Sequence, residues 1–275
     1  MNRELLCDMH VHSQNSHDST AAVCDVAAAA IQNGVSLLAI TDHCDIQYRE
    51  TVDLPSVFAA SVAETKAAAG SHADLEILTG IEVGEGLWDL PYAENLIKSF
   101  PFDVVIGSVH AVRCEGYTEP YSTIDFSKMP KNVLDAYLDA YFDDLLETVE
   151  TLDCDIVAHL TCPFRYVSGK FGLGADPMRY RDKIEKILDT VIKRHLALEV
   201  NTSGIGTAFG ELMPPEWVLL EYKKRGGALI TLGSDAHVPE RTGNGFGKIL
   251  ELLKRCGFDS YYYYKARKAY RVEIP

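Results

Sequence analysis

The sequence predicts an α/β protein in which parallel strands close into a barrel with helices between them. Short apolar runs of β type alternate with longer stretches of helical periodicity along the 275 residues. Histidines and carboxylates stand at the ends of these runs. The chain has no repeat, low-complexity tract or linker rich in Pro, Gly and Ser, so we expect residues 1–275 to form a single domain.

Seven candidate strands follow one another, and seven such units close most naturally into a barrel. They cover residues 5–12, 36–41, 76–83, 103–110, 155–160, 196–201 and 228–234. Helical patterns between them cover residues 25–32, 56–69, 132–152, 181–194 and 215–225. Gly34 and Gly226 follow two of these helices, where a residue tolerant of positive φ is favoured. Residues 113–131 are rich in turn formers, which predicts a long loop over one end, and the tyrosines at 261–264 predict a closing strand against the barrel.

Composition and charge limit the possible partners. With 47% apolar and 24% charged residues the chain is typical of a globular protein, which excludes disorder, collagen and coiled coil. It has 26 Lys and Arg against 40 Asp and Glu, a formal net charge of −14. Such a surface repels polyphosphate backbones, so no nucleic acid polymer is expected as a partner. No run of about 18 apolar residues is present, so we also expect no membrane partner.

The cysteines and the N-terminal residues indicate the compartment. Seven scattered cysteines, an odd number without a CxxC pair, are typical of reduced thiols rather than of a disulfide framework or a zinc ribbon. The beginning of the chain, MNRELLCDMHVH, lacks the apolar stretch of a signal peptide. We therefore expect a cytoplasmic protein.

The positions of the titratable residues predict a metal site. In a parallel barrel the C-terminal ends of all strands lie on one face. Polar residues that could bind a ligand end the predicted strands or follow them closely: His10, His12, Asp42, His43, Glu82, His110, His159, Asn201, Asp235 and His237. The two histidines of HxH leave a strand on the same side and can hold one ion. Imidazole and carboxylate are ligands of Zn, Mn and Fe. With Asp18 from the first loop, six histidines and three carboxylates suffice for two or three divalent ions, a device typical of phosphate ester hydrolysis.

The motifs that carry these residues resemble the polymerase and histidinol phosphatase (PHP) family. DMHVHSQNSHDS, AITDHCD, GIEVG, GSVHAV, AHLTCP, EVNTSG and GSDAH occur in the family's order and cover nearly the whole chain. Within the family, EVNTSG, ITLGSDAHVP and the tail YYYYKARKAYRVEIP are most similar to the monofunctional histidinol-phosphatases.

The resemblance implies a distorted (β/α)7 barrel with three divalent metals at the C-terminal ends of the strands. It implies His10, His12, Glu82 and Asp235 around a first ion, and a second ion that Glu82 shares with His110 and His159. The third ion would take His43, His237 and the residue six past His12, which is Asp18. His17 directly precedes Asp18 and leaves the register ambiguous; we favour Asp18, with His17 near the ligands or facing the substrate.

The resemblance further implies hydrolysis of L-histidinol phosphate, in histidine biosynthesis, by a hydroxide between the metals. No DxDxT or Cx5R motif of a covalent phosphoenzyme is present. Phosphate favours a planar cation, for which Arg165 is well placed and Arg241 is a weaker candidate. We expect Asp42 to orient His43 or to act in proton transfer, and either His17 or Asp42 to protonate the leaving alkoxide.

Three other interpretations stay open. The chain could be another PHP phosphoesterase that acts on nucleoside bisphosphates or short oligonucleotides, a binuclear amidohydrolase, or a module without catalysis. The amidohydrolase pattern fits less well, because the bridging glutamate comes on the third strand and a histidine follows the last aspartate. Whether the protein is a monomer or a homodimer is also open.

Overall fold

The computed structural model describes residues 5–275, and its centre is a nearly closed barrel of seven parallel strand positions, as predicted. The strands are β1 (Cys7–Val11), β2 (Leu37–Ile40), β3 (His43–Asp45), β4 (Glu76–Gly84), β5 (Val104–Ser108), β6 (Ile156–Val157), β7 (Ala197–Asn201) and β8 (Ile230–Gly233). Their order is β1-β2-β4-β5-β6-β7-β8, and every pair is parallel. β2 and β3 pair with successive parts of β4, so they form one interrupted strand position.

The barrel closes between β1 and β8 by a few contacts. Within residues 5–275 these two strands share no continuous ladder, and a single bridge joins Val11 to Ala236. The buried carboxylate of Asp8 accepts hydrogen bonds from the backbone N–H groups of Ser234 and Gly243, both at 2.9 Å. A side chain therefore replaces part of the missing ladder at this seam.

Helices cover the outside of the barrel. They are α1 (Val23–Gln32), α2 (Leu54–Ala69), α3 (Leu90–Ser99), α4 (Lys131–Thr151), α5 (Arg181–Lys193), α6 (Glu216–Lys224) and α7 (Phe246–Arg255). Five of them match predicted helices, whereas α3 and α7 were not among the predicted ones. The backbone has φ of 79° at Gly34 and 93° at Gly226, as predicted for residues that end helices. In the part of the chain that the structure describes, no helix is both long and apolar enough to cross a lipid bilayer.

Three segments outside the barrel strands bear on the site or on stability. The predicted loop at 113–131 is a loop with one short 3-10 turn, Phe126–Lys128. Arg165–Lys170 form a π-helical turn between β6 and α5. The tyrosines at 261–264 belong to β9 (Ser260–Lys265), which pairs with β10 (Lys268–Glu273) in an antiparallel hairpin instead of joining the barrel. Tyr261 and Tyr264 still bury their side chains in the main hydrophobic core.

Candidate functional site

The nine residues predicted as metal ligands converge at the C-terminal ends of the strands. They are His10, His12, Asp18, His43, Glu82, His110, His159, Asp235 and His237. Glu82 lies at their centre and is fully buried, and its carboxylate oxygens face in two directions. The nine residues fall into three groups around it.

The first group contains His10 and His12 of the HxH pair. Their Nε2 atoms are 3.1 Å apart, because β1 places both side chains on the same side. Glu82 Oε2 lies 3.3 Å from His10 Nε2, and Asp235 Oδ1 lies 3.3 Å from His12 Nε2. Asp235 reaches this position from a backbone with φ of 51°, a conformation that few residues other than glycine adopt.

The second group lies on the other oxygen of Glu82. His159 Nε2 is 3.0 Å and His110 Nε2 is 3.2 Å from Glu82 Oε1, and the two nitrogens are 3.4 Å apart. His159 also has a positive φ, of 24°, directly after the short strand β6. Glu82 therefore stands between two groups of ligand atoms.

The third group lies nearest to solvent. His43 Nε2 and His237 Nε2 are 3.3 Å apart. Asp18 contacts both, with Oδ1 at 3.6 Å from His43 Nε2 and Oδ2 at 3.1 Å from His237 Nε2. The His17 ring lies beside this group, half exposed, with its Nδ1 at 3.8 Å from Asp45 Oδ2. The structure thus brings Asp18, and not His17, between the two imidazoles.

The hydrogen bonds of the histidine imidazoles indicate whether metal ions fit between the three groups of side chains. In three rings Nδ1 faces an oxygen acceptor. His10 Nδ1 lies 2.6 Å from Glu199 Oε1, His110 Nδ1 lies 3.0 Å from Asp45 Oδ1, and His237 Nδ1 lies 3.0 Å from the Asp235 carbonyl oxygen. These rings therefore carry a proton on Nδ1 and direct Nε2 into the site. The Nε2 atoms of the paired rings face one another at 3.1–3.4 Å, so each pair requires a proton or a metal ion between its two nitrogens. The donor set fits divalent metal ions.

The electrostatics of the site favour positive charge at its centre. Burial opposes the charged form of Glu82, but the nearby His110, His10 and His43 imidazoles hold the pKa of this carboxyl well below its usual range. Burial likewise opposes a charged His10, but the Glu199 and Glu82 carboxylates raise the pKa of its imidazole well above the usual value. Without metal ions, protons on the imidazoles take over part of the charge balance.

A pocket opens from the metal ligands towards solvent. Besides ligands, it is lined by His17, Asp45, Pro120, Tyr121, Ser122, Cys162, Arg165 and Tyr166. Arg165 Nη1 donates to Ser203 Oγ at 3.0 Å, and its guanidinium lies 5.5 Å from the centre of the Tyr166 ring. The Tyr121 and Tyr166 rings are 5.3 Å apart and form an aromatic wall. Burial raises the pKa of the Cys162 thiol to about 11, so this thiol stays neutral.

Two predicted catalytic or phosphate-binding residues lie outside this pocket. The buried Asp42 carboxylate accepts hydrogen bonds from Ser13, Ser16 and Ser61, and it reaches His43 only through Ser16, whose Oγ accepts from the His43 backbone N–H. It therefore does not orient the His43 imidazole directly, and its place in proton transfer stays a prediction. Arg241 donates to the carbonyl oxygen of Ile205, which leaves its predicted phosphate contact without support from the pocket lining.

Sequence reasoning missed the residues that orient the ligands. Glu199 contacts His10, Asp45 contacts His110, and Ser16 Oγ lies 3.0 Å from His12 Nδ1. A charged residue inside the apolar strand LALEVN was the signal for Glu199. The signal for Asp45 was its spacing from His43 on β3, which places the two side chains on one side of the strand.

Comparison with known proteins identifies the family to which the chain is similar. A family model for the PHP domain matches residues 8–203. The chain is 27% identical over 255 residues to a probable histidinol-phosphatase of Thermotoga maritima, which covers 92% of this chain and 94% of the relative. It is 29% identical over 261 residues to the histidinol-phosphatase of Lactococcus lactis subsp. lactis, with 91% of both chains covered.

A solved structure shares the fold. The crystal structure of histidinol phosphate phosphatase from Lactococcus lactis subsp. lactis, complexed with zinc, L-histidinol and phosphate, superposes with a TM-score of 0.74 at 25% sequence identity. The match covers 96% of this chain and 98% of that chain.

Proposed function

The chain belongs to the PHP domain family, and from this we propose that it is a metal-dependent phosphatase that hydrolyses L-histidinol phosphate to L-histidinol and phosphate. The observation that carries the proposal is the convergence of five imidazoles on Glu82, with His237 in the adjoining third group, beside a pocket that also contains the partly buried Arg165. Two relatives that match over nearly their full length are named histidinol-phosphatase or probable histidinol-phosphatase, which supports this substrate.

We assign the three groups of side chains to two or three divalent ions, of zinc, manganese or iron. His10, His12, Glu82 and Asp235 would hold one, and His110 and His159 would share Glu82 in holding another. Asp18, His43 and His237 would hold a third. When bound, such ions lower the pKa of water and neutralise the charge of a phosphate ester. Zinc is present in the related Lactococcus structure.

Arg165 would bind the phosphate group. Its guanidinium is held by Ser203 and lies over Tyr166 on the wall of the pocket. A guanidinium presents parallel N–H groups that match two phosphate oxygens, so Arg165 would fix the orientation of the ester as well as its charge. Because Ser203 already holds this side chain, little conformational entropy is lost when the phosphate binds.

His17 would donate the proton to the leaving alkoxide. Its ring lines the pocket, is half exposed, and has the Asp45 carboxylate 3.8 Å from Nδ1. Because the ring is half exposed, solvent can restore the donated proton after each turnover. Tyr121 and Tyr166 would pack against the imidazole of the substrate, since a flat ring stacks on an aromatic wall.

Phosphate release tests the proposal directly. Purified protein loaded with zinc, manganese or iron should release phosphate from L-histidinol phosphate much faster than from a nucleoside 3′,5′-bisphosphate or p-nitrophenyl phosphate. His10→Ala should abolish this activity, while His72→Ala, a matched change outside the site, should retain it.

The other outcomes are equally informative. Turnover of the bisphosphate alone would keep the metal chemistry and reject L-histidinol phosphate as the substrate. Ammonia release from amide or amine substrates would indicate an amidohydrolase, and no turnover of any substrate would reject the enzyme assignment.

A further inference from the structure

Glu199 is a buried carboxylate that touches two of the three ligand groups without belonging to either. It lies on β7 with 1% of its surface exposed. Oε1 is 2.6 Å from His10 Nδ1, and Oε2 accepts the His159 backbone N–H at 2.7 Å. Asn201 Nδ2 donates to the same Oε2 at 3.1 Å. Three donors from three strand positions therefore surround one side chain.

We propose that Glu199 is a positioning residue that fixes both His10 and His159 for metal binding, an inference that rests on the proposed metal-dependent function. A carboxylate only accepts hydrogen bonds, so it requires the proton of the His10 ring to be on Nδ1. The Nε2 lone pair then faces the site, where it serves as a ligand.

At His159 the same side chain acts on the backbone. His159 has φ of 24°, which costs free energy for a residue with a Cβ atom. The hydrogen bond from its N–H to Glu199 Oε2 offsets part of this cost and holds the turn that directs the His159 ring towards Glu82. One carboxylate thus links a ring in the first group to a turn in the second.

The neighbouring strand leaves room for this arrangement. A Cβ atom added to Gly233 on β8 would lie 2.0 Å from Glu199 Oε1 and 2.8 Å from His10 Cβ. Glycine at this position is therefore what allows the Glu199 and His10 side chains to meet behind the site.

Glu199→Gln is the sharpest variant, because glutamine keeps the size but has an acceptor at only one end. The amide oxygen is needed at the end that faces the two donors from His159 and Asn201. The amide NH₂ then faces His10 Nδ1 and requires an acceptor there. The His10 proton would move to Nε2, where it blocks metal binding.

The experiment has two readouts that need no substrate. In ¹⁵N-histidine spectra of metal-free protein, the hydrogen-bonded Nδ1–H signal of His10 should be present, and it should be absent in Glu199→Gln. Zn²⁺ alone, titrated against a chromophoric chelator, should bind Glu199→Gln about 10–100-fold more weakly at the sites that contain His10 and His159.

A matched control separates this effect from a loss of stability. Glu221→Gln removes another buried carboxylate, which lies on α6, pairs with Arg225 and does not line the pocket, and it should leave both readouts unchanged. Gly233→Ala should weaken Zn²⁺ binding as Glu199→Gln does, since it crowds the same pair.

Different results would contradict the positioning role of Glu199 and the proposed metal-dependent function. An unchanged Nδ1–H signal together with unchanged Zn²⁺ affinity in Glu199→Gln would overturn the role of Glu199. If the unsubstituted protein itself binds no Zn²⁺, the proposed metal-dependent function fails, whereas the His10 signal still tests the contact with Glu199.

Discussion

Contacts within the protein hold the Arg165 side chain in place before any substrate binds. Ser203 Oγ accepts from its Nη1, and the Tyr166 ring supports the flat face of the guanidinium. These contacts suit an arginine and not a lysine, because a lysine ammonium is a point charge on a flexible stem and offers no flat face. The geometry, and not the charge alone, is therefore expected to matter at this residue.

Arg165→Lys should separate geometry from charge. We expect KM for L-histidinol phosphate to rise, and inhibition by inorganic phosphate to weaken, by about tenfold each, because one of two parallel hydrogen bonds is lost. Steady-state kinetics with and without phosphate measure both. Arg241→Lys is the control and should change neither; if it has the larger effect, the phosphate site lies near Arg241.

At the residue scale, the sequence predicted side chains whose spacing carries chemical information. HxH follows from the two-residue period of extended backbone. Asp235 and His237 of GSDAH lie past β8, where φ of 51° at Asp235 departs from extended backbone, and the structure still brings them to the HxH pair. Glu199 and Asp45 were not predicted, because orienting a ligand needs a partner distant in the chain. His10 and Glu199 are 189 residues apart, and only the closed barrel makes them neighbours.

Among the elements, the C-terminal hairpin depends on one arginine in its turn. Arg267 has φ of 60°, and its side chain reaches back to the barrel, where Nε donates to Asp155 Oδ2. Asp155 is nearly buried and also accepts the Val105 backbone N–H at 2.8 Å. The hairpin of β9 and β10 therefore supplies the positive charge for a carboxylate at the N-terminal end of β6.

Arg267→Ala should lower the free energy of unfolding by about 1–3 kcal/mol at neutral pH, because it leaves a buried charge without its partner. Urea denaturation measures the change. Arg271→Ala is the control, since Arg271 pairs with exposed carboxylates on the same hairpin and should cost well under about 1 kcal/mol.

The loss in Arg267→Ala should depend on pH with a definite sign. Burial raises the pKa of Asp155 above its usual value even with Arg267 present, and removing the cation raises it further. A carboxyl group with a raised folded-state pKa favours folding at low pH and loses this contribution as pH rises through that pKa. The destabilisation relative to the unsubstituted protein should therefore shrink on acidification; a loss that grows at low pH would contradict this explanation.

Sequence prediction of the elements was most accurate for the two helices α4 and α5. α4 and α5 agree with the predicted helices to within a residue or two at their ends. α3 and α7 were missed although each has ten residues, as many as the predicted α1. The signal for α7 was the helical spacing of its buried residues Phe246, Ile249, Leu252 and Leu253. At the interruption between β2 and β3, the Asp42 carboxylate accepts hydrogen bonds from Ser13 in the first loop and from Ser61 on α2, contacts that local sequence does not reveal.

For the whole molecule, the metal site concentrates charge in a barrel that is already strongly acidic. The net charge is −14, and the carboxylates of Glu82 and Asp235 have pKa values held well below their usual range despite burial. Without divalent ions, only protonated imidazoles and Arg165 balance these charges in the pocket that the structure describes. Metal ions are therefore expected to contribute to folding stability as well as to catalysis.

Chelation should lower the melting temperature. An ion present at about 100 times its Kd adds roughly 2.7 kcal/mol to the free energy of unfolding, so removing it should lower Tm by about 5 °C or more. Differential scanning calorimetry after dialysis against a chelator, and again after adding Zn²⁺ or Mn²⁺, measures the shift.

His10→Ala supplies the comparison for the calorimetric experiment. Its Tm should respond less to chelation and to added metal, because one ligand of the shared site is missing. Equal responses of the variant and the unsubstituted protein would place the stabilising ion elsewhere.

The seam between β1 and β8 has a consequence for the order in which the molecule forms. The ligands of the first group come from both sides of this seam, since His10 and His12 lie on β1 and Asp235 follows β8. These ligands are separated by roughly two hundred residues, and contacts of such high sequence separation form slowly. A growing chain cannot complete the first group of ligands until Asp235 has been synthesised, long after His10 and His12. The proposed metal site is therefore expected to be completed late in folding, after the β8 side of the seam has come together with β1.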